Sequence, residues 1–151
     1  MHRTTLRGAL PDDELHRLLR RLVRVAGLLE PHDHDGVRAS ASEVFALGEL
    51  AEDGPLSQQQ LGDRLGLEKS TVSRLAAGLE QRGWLERVRD PANRRFYQLR
   101  LTPAGTEAAD RIGRYIAGRH HHLLEELTEE ERRGLLLGLA GVLRISEQHR
   151  Q

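Results

Sequence analysis

At 151 residues the chain has room for one domain or one compact two-lobed subunit, and its formal net charge of zero points to neither nucleic acid nor membrane. Hydrophobic residues make up 38% and aromatic residues only 3%, so a core is built from Leu, Val and Ala, and a partner surface would help complete it. The absence of cysteine excludes disulfides, thiolate catalysis and cysteine-based redox sensing.

Residues 1–10 read as a loose arm, and Met1 to Asp12 contains no apolar core of signal-peptide length. Asp12 or Asp13 starts a helix in which Leu15, Leu18, Leu19, Leu22, Ala26 and Leu29 recur at helical spacing. The acidic start suits the positive end of the helix dipole, and Pro31 stops the helix. Pro31 to Gly36 is expected to be a solvated connection. Its His32, Asp33, His34 and Asp35 make a poor chelate, because neighbouring ligands on a loop need others to converge with them.

Ser40 and Glu43 form a capping box that opens a helix through Val44, Leu47, Leu50 and Ala51, closed by Gly54-Pro55. Ser57 and Gln60 form a second box, with Leu56 and Leu61 placed as its hydrophobic staple. That helix is short, since Gly66 sits where a left-handed cap belongs, and Leu67 leads directly into a helix predicted over Glu68 to Arg82. Two helices joined by a brief glycine-containing turn are a helix-turn-helix signature, which ordinary helical hairpins share. In the second helix Val72, Leu75, Ala76 and Leu79 share one side, while Ser70, Ser73, Arg74, Ala77 and Gln81 fall opposite. Small polar residues around one arginine suit a DNA major groove, where a guanidinium pairs with guanine O6 and N7. A solvated helix face has the same pattern, and the flanking elements decide between the two.

Gly83 caps the helix and the period changes to two. Trp84 to Arg89 and Phe96 to Leu101 read as strands, with Leu85, Tyr97, Leu99 and Leu101 inward. Asp90-Pro91-Ala92-Asn93 is turn chemistry, and Arg94 and Arg95 sit at or just past the tip. A cationic β-ribbon after a helix-turn-helix makes a wing able to place an arginine in the minor groove; a hairpin with arginines for solubility reads alike. Residues 55–102 hold nine cations (Arg64, Lys69, Arg74, Arg82, Arg87, Arg89, Arg94, Arg95, Arg100) and five anions (Asp63, Glu68, Glu80, Glu86, Asp90), a net +4 inside a body of −4. A basic module in an acidic body is the electrostatic footprint of a phosphate-binding surface.

Thr102-Pro103 reads as N-cap and first residue of a further helix carrying Ala108, Ile112, Tyr115, Ile116, Arg119, Leu123 and Leu127 along one side. Thr128 and Glu131 form a third capping box, before Leu135, Leu136, Leu139, Val142 and Leu143. The most apolar run, Leu135 to Leu143, is far below the ~20 residues that span a bilayer, and a cytoplasmic location is expected.

From Leu15 to Leu143, and most specifically between Leu56 and Gly105, the chain resembles the MarR family of winged helix-turn-helix transcriptional regulators. The recognition-helix phrase is similar to Leu67-Glu68-Lys69-Ser70-Thr71-Val72-Ser73-Arg74-Leu75, followed by Leu79-Glu80-Gln81-Arg82-Gly83-Trp84-Leu85. The wing signature, D-x-R and then L-T, falls on Asn93-Arg94-Arg95 and Leu101-Thr102, continued by Pro103-Ala104-Gly105. Asn93 replaces the signature's acid but can still hydrogen-bond, and Asp90 is close enough in sequence to take the charged role, so Asp90 and Asn93 are both expected to brace the wing; Glu68 stands where a better N-cap is common.

The resemblance implies a mainly α fold with a small β-wing (α+β). Residues 1–36 would form an arm and dimerisation helix, 37–102 the DNA-binding lobe, and 103–151 the C-terminal dimerisation helices. It implies double-stranded DNA as partner, contacted by Lys69, Ser70, Thr71, Ser73, Arg74, Ala77, Gln81, Arg94 and Arg95. It also implies a homodimer on a pseudo-palindromic operator, repression by default, and release by a small anionic or phenolic effector, for which His16, Arg20 and Tyr115 are candidate pocket residues. No cofactor, metal or enzymatic activity is expected: Ser70 and Ser73 lack a local His partner, and no Gly-rich phosphate loop or H-E-x-x-H is present. The alternatives are a metal-responsive regulator using its histidines and a protein–protein adaptor. Against the first, His120-His121-His122 point about 100° apart on a helix; against the second stands the charge of the winged module.

Overall fold

The computed structural model describes residues 12–26 and 31–149, in two compact units, Met1–Ile112 and Gly113–Gln151. The expected arm and the expected helix end at Leu29 lie outside the described residues. Helix α1 spans Asp12–Val25, and its apolar side chains Leu15, Leu18, Leu19, Leu22 and Val25 are all exposed.

The expected connection after Pro31 is instead a hairpin of β1 (His32–His34) and β2 (Val37–Ala39), paired antiparallel with His34 opposite Val37. The turn residues Asp35 and Gly36 have φ of 57° and 82°, the two positive values that a two-residue hairpin loop of Asp-Gly type requires. Asp33 Oδ1 accepts the Gly36 N–H at 2.8 Å, and Arg111 holds the turn by donating to the Asp35 carbonyl. Val37 and Ala39 enter the core, which gives the hairpin a reason to form.

Helix α2 (Ala41–Asp53) opens on the complete Ser40–Glu43 capping box, and its Ala46, Leu47 and Leu50 are buried. Helix α3 (Gln58–Leu65) opens on the Ser57–Gln60 box and ends at Gly66, left-handed with φ 65°. Leu56 and Leu61 are both buried, as a hydrophobic staple requires. Helix α4 (Lys69–Gln81) buries Val72, Ala76 and Leu79, and its N-cap Glu68 makes no side-chain cap bond. Leu47, Leu61, Val72, Leu79 and Leu99 are the largest fully buried side chains of this core. Each contributes roughly 1.5–3 kcal/mol of transfer free energy.

Strands β3 (Leu85–Arg89) and β4 (Tyr97–Leu101) pair in the register Leu85 opposite Leu101 and Arg89 opposite Tyr97. Leu56 adds a short third rung, exchanging backbone bonds of 3.1 and 2.7 Å with Leu99. This anchors the wing base to the chain just before the helix-turn-helix. Leu85 and Leu99 point inward and Leu101 is half-buried, but Tyr97, expected inward, is exposed. It sits in the rung furthest from Leu85 and Leu101, where the cross-strand Arg89 guanidinium covers the ring at 4.2 Å.

Helix α5 runs over Pro103–Glu126 and buries Gly105, Ala108 and Ile112. Thr102 Oγ accepts the Gly105 N–H at 3.0 Å and donates to the Gly83 carbonyl at 2.6 Å, tying the helix start to the wing base. In the second unit, α6 (Glu129–Gln148) opens on the Thr128–Glu131 box and buries no residue. The Glu131 carboxyl is held below its ordinary pKa, first by the Thr128 backbone N–H and then by its hydroxyl. Arg132 donates to the Leu124 carbonyl at 3.0 and 2.6 Å, satisfying an acceptor near the end of α5. Leu135, Leu136, Leu137, Leu139, Val142, Leu143 and Ile145 are all exposed. Among the described residues no helix is long and apolar enough to cross a membrane.

Candidate nucleic-acid interface

Burial on α4 separates its two sides. With Val72, Ala76 and Leu79 inside, Lys69, Ser70, Ser73, Arg74, Ala77 and Gln81 are exposed, while Thr71 is half-buried. Gln58, Glu68, Lys69, Ser70 and Ser73 line a shallow depression of about 500 Å³ at the helix start. The left-handed Gly66 closes α3 just ahead of α4, and the burial of Leu61 on α3 and of Val72, Ala76 and Leu79 on α4 leaves this side of α4 outward.

The nine cations of residues 55–102 sort sharply by what holds them. Arg64 binds Glu49 at 3.0 Å and also Asp53; these bonds, Asp53 first, raise its pKa above the ordinary arginine value. Arg82 lies over the Trp84 ring at 3.5 Å and donates to the Arg38 carbonyl at 2.6 Å and to Glu43 at 3.2 Å. Arg87 donates from Nε to both Glu80 oxygens at 3.2 Å and from Nη1 to Gln58, and Arg100 pairs with Glu86 at 2.8 Å. Arg89 stacks on Tyr97 and donates to the Arg94 carbonyl at 2.8 Å. The remaining side chains, Lys69, Arg74, Arg94 and Arg95, have no hydrogen-bond or ion-pair partner among the described residues. They are the cations of the exposed α4 side and of the wing tip.

The wing is braced differently from the expectation. Among the described residues Asp90 pairs with no arginine; its Oδ1 accepts the Ala92 N–H at 2.8 Å. A carboxylate two residues before an open amide in a tight turn satisfies that amide first. Asn93 Oδ1 accepts the Arg95 N–H at 3.2 Å, and the Phe96 N–H donates to the Asn93 carbonyl at 3.0 Å. Both side chains therefore shape the loop through backbone amides.

Other candidate residues are less organised. His16 and Arg20 are exposed on α1, and Tyr115 is half-buried on α5 with the Arg119 guanidinium 6.0 Å from its ring centroid. His32 and His34 share one side of β1, with ring centroids 6.2 Å apart. His121 pairs with Glu125 at 3.1 Å. Among the described residues no three His, Asp or Glu side chains are placed to hold a metal ion.

The sequence profile of the MarR family matches residues 40–95, the stretch from the first capping box to the wing tip. The HTH-type transcriptional regulator YkoM of Bacillus subtilis is 34% identical over 103 residues, covering 67% of this chain and 67% of YkoM. The chain belongs to the MarR family. A protein of Thauera aromatica named for regulation of the hcr operon is 31% identical to this MarR-family chain over 90 residues, which cover 60% of the chain and 54% of that protein. The match thus spans about half to two thirds of the length of these curated relatives. Among solved structures, the PcaV transcriptional regulator of Streptomyces coelicolor superposes with a TM-score of 0.70 at 29% identity, covering 89% of this chain and 98% of that one. PcaV has also been solved in complex with its natural ligand. FabT of Streptococcus pneumoniae, solved in complex with DNA, shares the fold at 20% identity, with a TM-score of 0.74 over 90% of this chain and 94% of its own. The α+β winged helix-turn-helix is therefore the fold of this MarR-family chain.

Proposed function

We propose that this protein is a sequence-specific, DNA-binding transcriptional repressor without enzymatic activity. The observation that carries the reading is the sorting of cations. Five arginines of the basic module are held by carboxylates, carbonyls or rings, whereas Lys69, Arg74, Arg94 and Arg95 are not. Unpaired guanidinium and ammonium groups on one lobe keep their full attraction for phosphate and release counterions on binding. In this reading the exposed side of α4 enters the major groove, with Arg74 as the base reader and Lys69, Ser70, Thr71, Ser73, Ala77 and Gln81 around it. Arg94 and Arg95 follow the adjacent minor groove.

The lobe of residues 37–102 would bind DNA, and residues 1–36 and 103–151 would support a homodimer. What favours the dimer is apolar surface: Leu15, Leu18, Leu19 and Leu22 on α1 and Leu136, Leu139, Val142 and Leu143 on α6 are each at least half exposed. A second copy is the occupant that a two-fold regulator supplies. A small-molecule effector is part of the proposal, supported by the ligand complex of PcaV. Cytoplasmic location follows from action on DNA.

Replacing Arg94 and Arg95 together with alanine tests the wing. Binding to any duplex should weaken, and the slope of log K against log salt concentration should shrink by about 2–4 units for a dimer that loses two cations from each protomer. Fluorescence anisotropy across a salt series measures this, and an unchanged slope would remove the wing from the interface.

A further inference from the structure

We infer that Phe96 is an apolar contact of the wing with the walls of the DNA minor groove, a second mode of attachment beside the two arginines. The inference rests on the DNA-binding reading above. The chain has only five Phe, Tyr and Trp residues, and Phe96 is 62% exposed. Its backbone is nevertheless fixed. The Phe96 N–H donates to the Asn93 carbonyl and its own carbonyl accepts the Asp90 N–H, both at 3.0 Å, closing the wing loop. The neighbouring aromatic, Tyr97, is covered by Arg89, which also pins the Arg94 carbonyl at 2.8 Å. No aromatic ring or guanidinium stacks on Phe96 among the described residues.

Arg89 and Tyr97 are thus used up in stiffening the tip, while Arg94, Arg95 and Phe96 follow one another in the loop, all exposed and with no side-chain partner among the described residues. The carboxylate of the same loop, Asp90, accepts the Ala92 amide. A surface complementary to two cations and a phenyl ring must combine anionic rims with apolar walls. The minor groove does: phosphates line its edges and deoxyribose its sides, and apolar side chains recur among proteins that bind there. Because the ring sits on a locked turn, little backbone freedom is lost when it docks.

The test measures Kd for Phe96→Ala, Phe96→Leu, Arg74→Ala and wild type on one duplex, selected from genomic fragments with the wild-type protein, across a salt series. Phe96→Ala should bind about tenfold more weakly, as partial burial of a phenyl side chain implies, with the salt slope unchanged. Phe96→Leu should recover most of the loss. Circular dichroism should show equal melting for all variants, since the ring is exposed. Wild-type affinity in Phe96→Ala, with Arg74→Ala weakened, would overturn this inference alone. A salt slope that falls in Phe96→Ala would overturn it too, by showing that the arginines had moved. If the wild type enriches no duplex, the DNA-binding reading falls and this inference with it.

Discussion

Arg74→Ala is expected to lower affinity for a selected operator by about a hundredfold or more while leaving melting temperature unchanged. The side chain is exposed on α4 and has no partner among the described residues, so its removal disturbs no packing and strands no buried charge. A guanidinium pairing with guanine O6 and N7 contributes roughly 1–3 kcal/mol of discrimination at each half-site, and the proposed two-fold dimer would make the contact twice. Binding to random duplex should fall far less, because only a phosphate-range charge is lost. Competition anisotropy with specific and random duplexes separates the two effects. Equal loss on both duplexes would make Arg74 a backbone contact, and no loss on either would mean that the reading face of α4 is elsewhere.

Gly105→Ala is expected to damage the fold itself. A Cβ at this position would overlap the Trp84 carbonyl oxygen and lie 2.7 Å from its carbon and 3.0 Å from its Cα. All three are backbone atoms, and Trp84 also accepts the Thr102 N–H at 3.0 Å, so the neighbour cannot swing aside as a side chain would. Forcing a methyl group into such a contact costs roughly 3 kcal/mol or more, near the upper end for overpacking. For a chain of this size that corresponds to a drop of about 10 °C in Tm, readable by circular dichroism. The strain falls where α5 leaves the wing base, so DNA affinity should decline with it. A variant melting within 2 or 3 °C of wild type, at the resolution of such shifts, would show that α5 and the wing base pack less tightly than the Gly105–Trp84 approach requires.

Local chemistry was readable from the residues, and long-range chemistry was not. The three capping boxes, Ser40–Glu43, Ser57–Gln60 and Thr128–Glu131, form as expected because each is closed between a residue and its third neighbour. The helix-turn-helix followed from Gly66 and from the apolar spacing on α4. The β1–β2 hairpin was legible too, in Asp35-Gly36, but its histidines and aspartates drew the reading towards a solvated loop. Only the burial of Val37 and Ala39 shows why the chain pairs there. The Leu56–Leu99 rung and the Arg82 bonds to Arg38 and Glu43 join residues far apart in sequence, and no periodicity encodes them.

The wing shows the same division. Its turn was plain in Asp90-Pro91-Ala92-Asn93, yet the partner of Asp90 depended on which backbone amides the turn left open. Tyr97 follows the strand alternation of Leu99 and Leu101 but lies past the end of the core, where its partner is Arg89. In the sequence Phe96 is only the first residue of a predicted strand; its closing role in the loop and its exposed ring emerge from the fold. The sorting of nine cations into held and unpaired groups, on which the functional reading depends, likewise required coordinates.

Hydroxyl-radical footprinting on a duplex selected from genomic fragments tests the central claim most directly. Two protected segments related by two-fold symmetry are expected, with centres about one helical turn, or 10 base pairs, apart. Minor-groove protection beside them should disappear when Arg94 and Arg95 are replaced by alanine. Failure of the wild-type protein to enrich or protect any duplex over random sequence would contradict it.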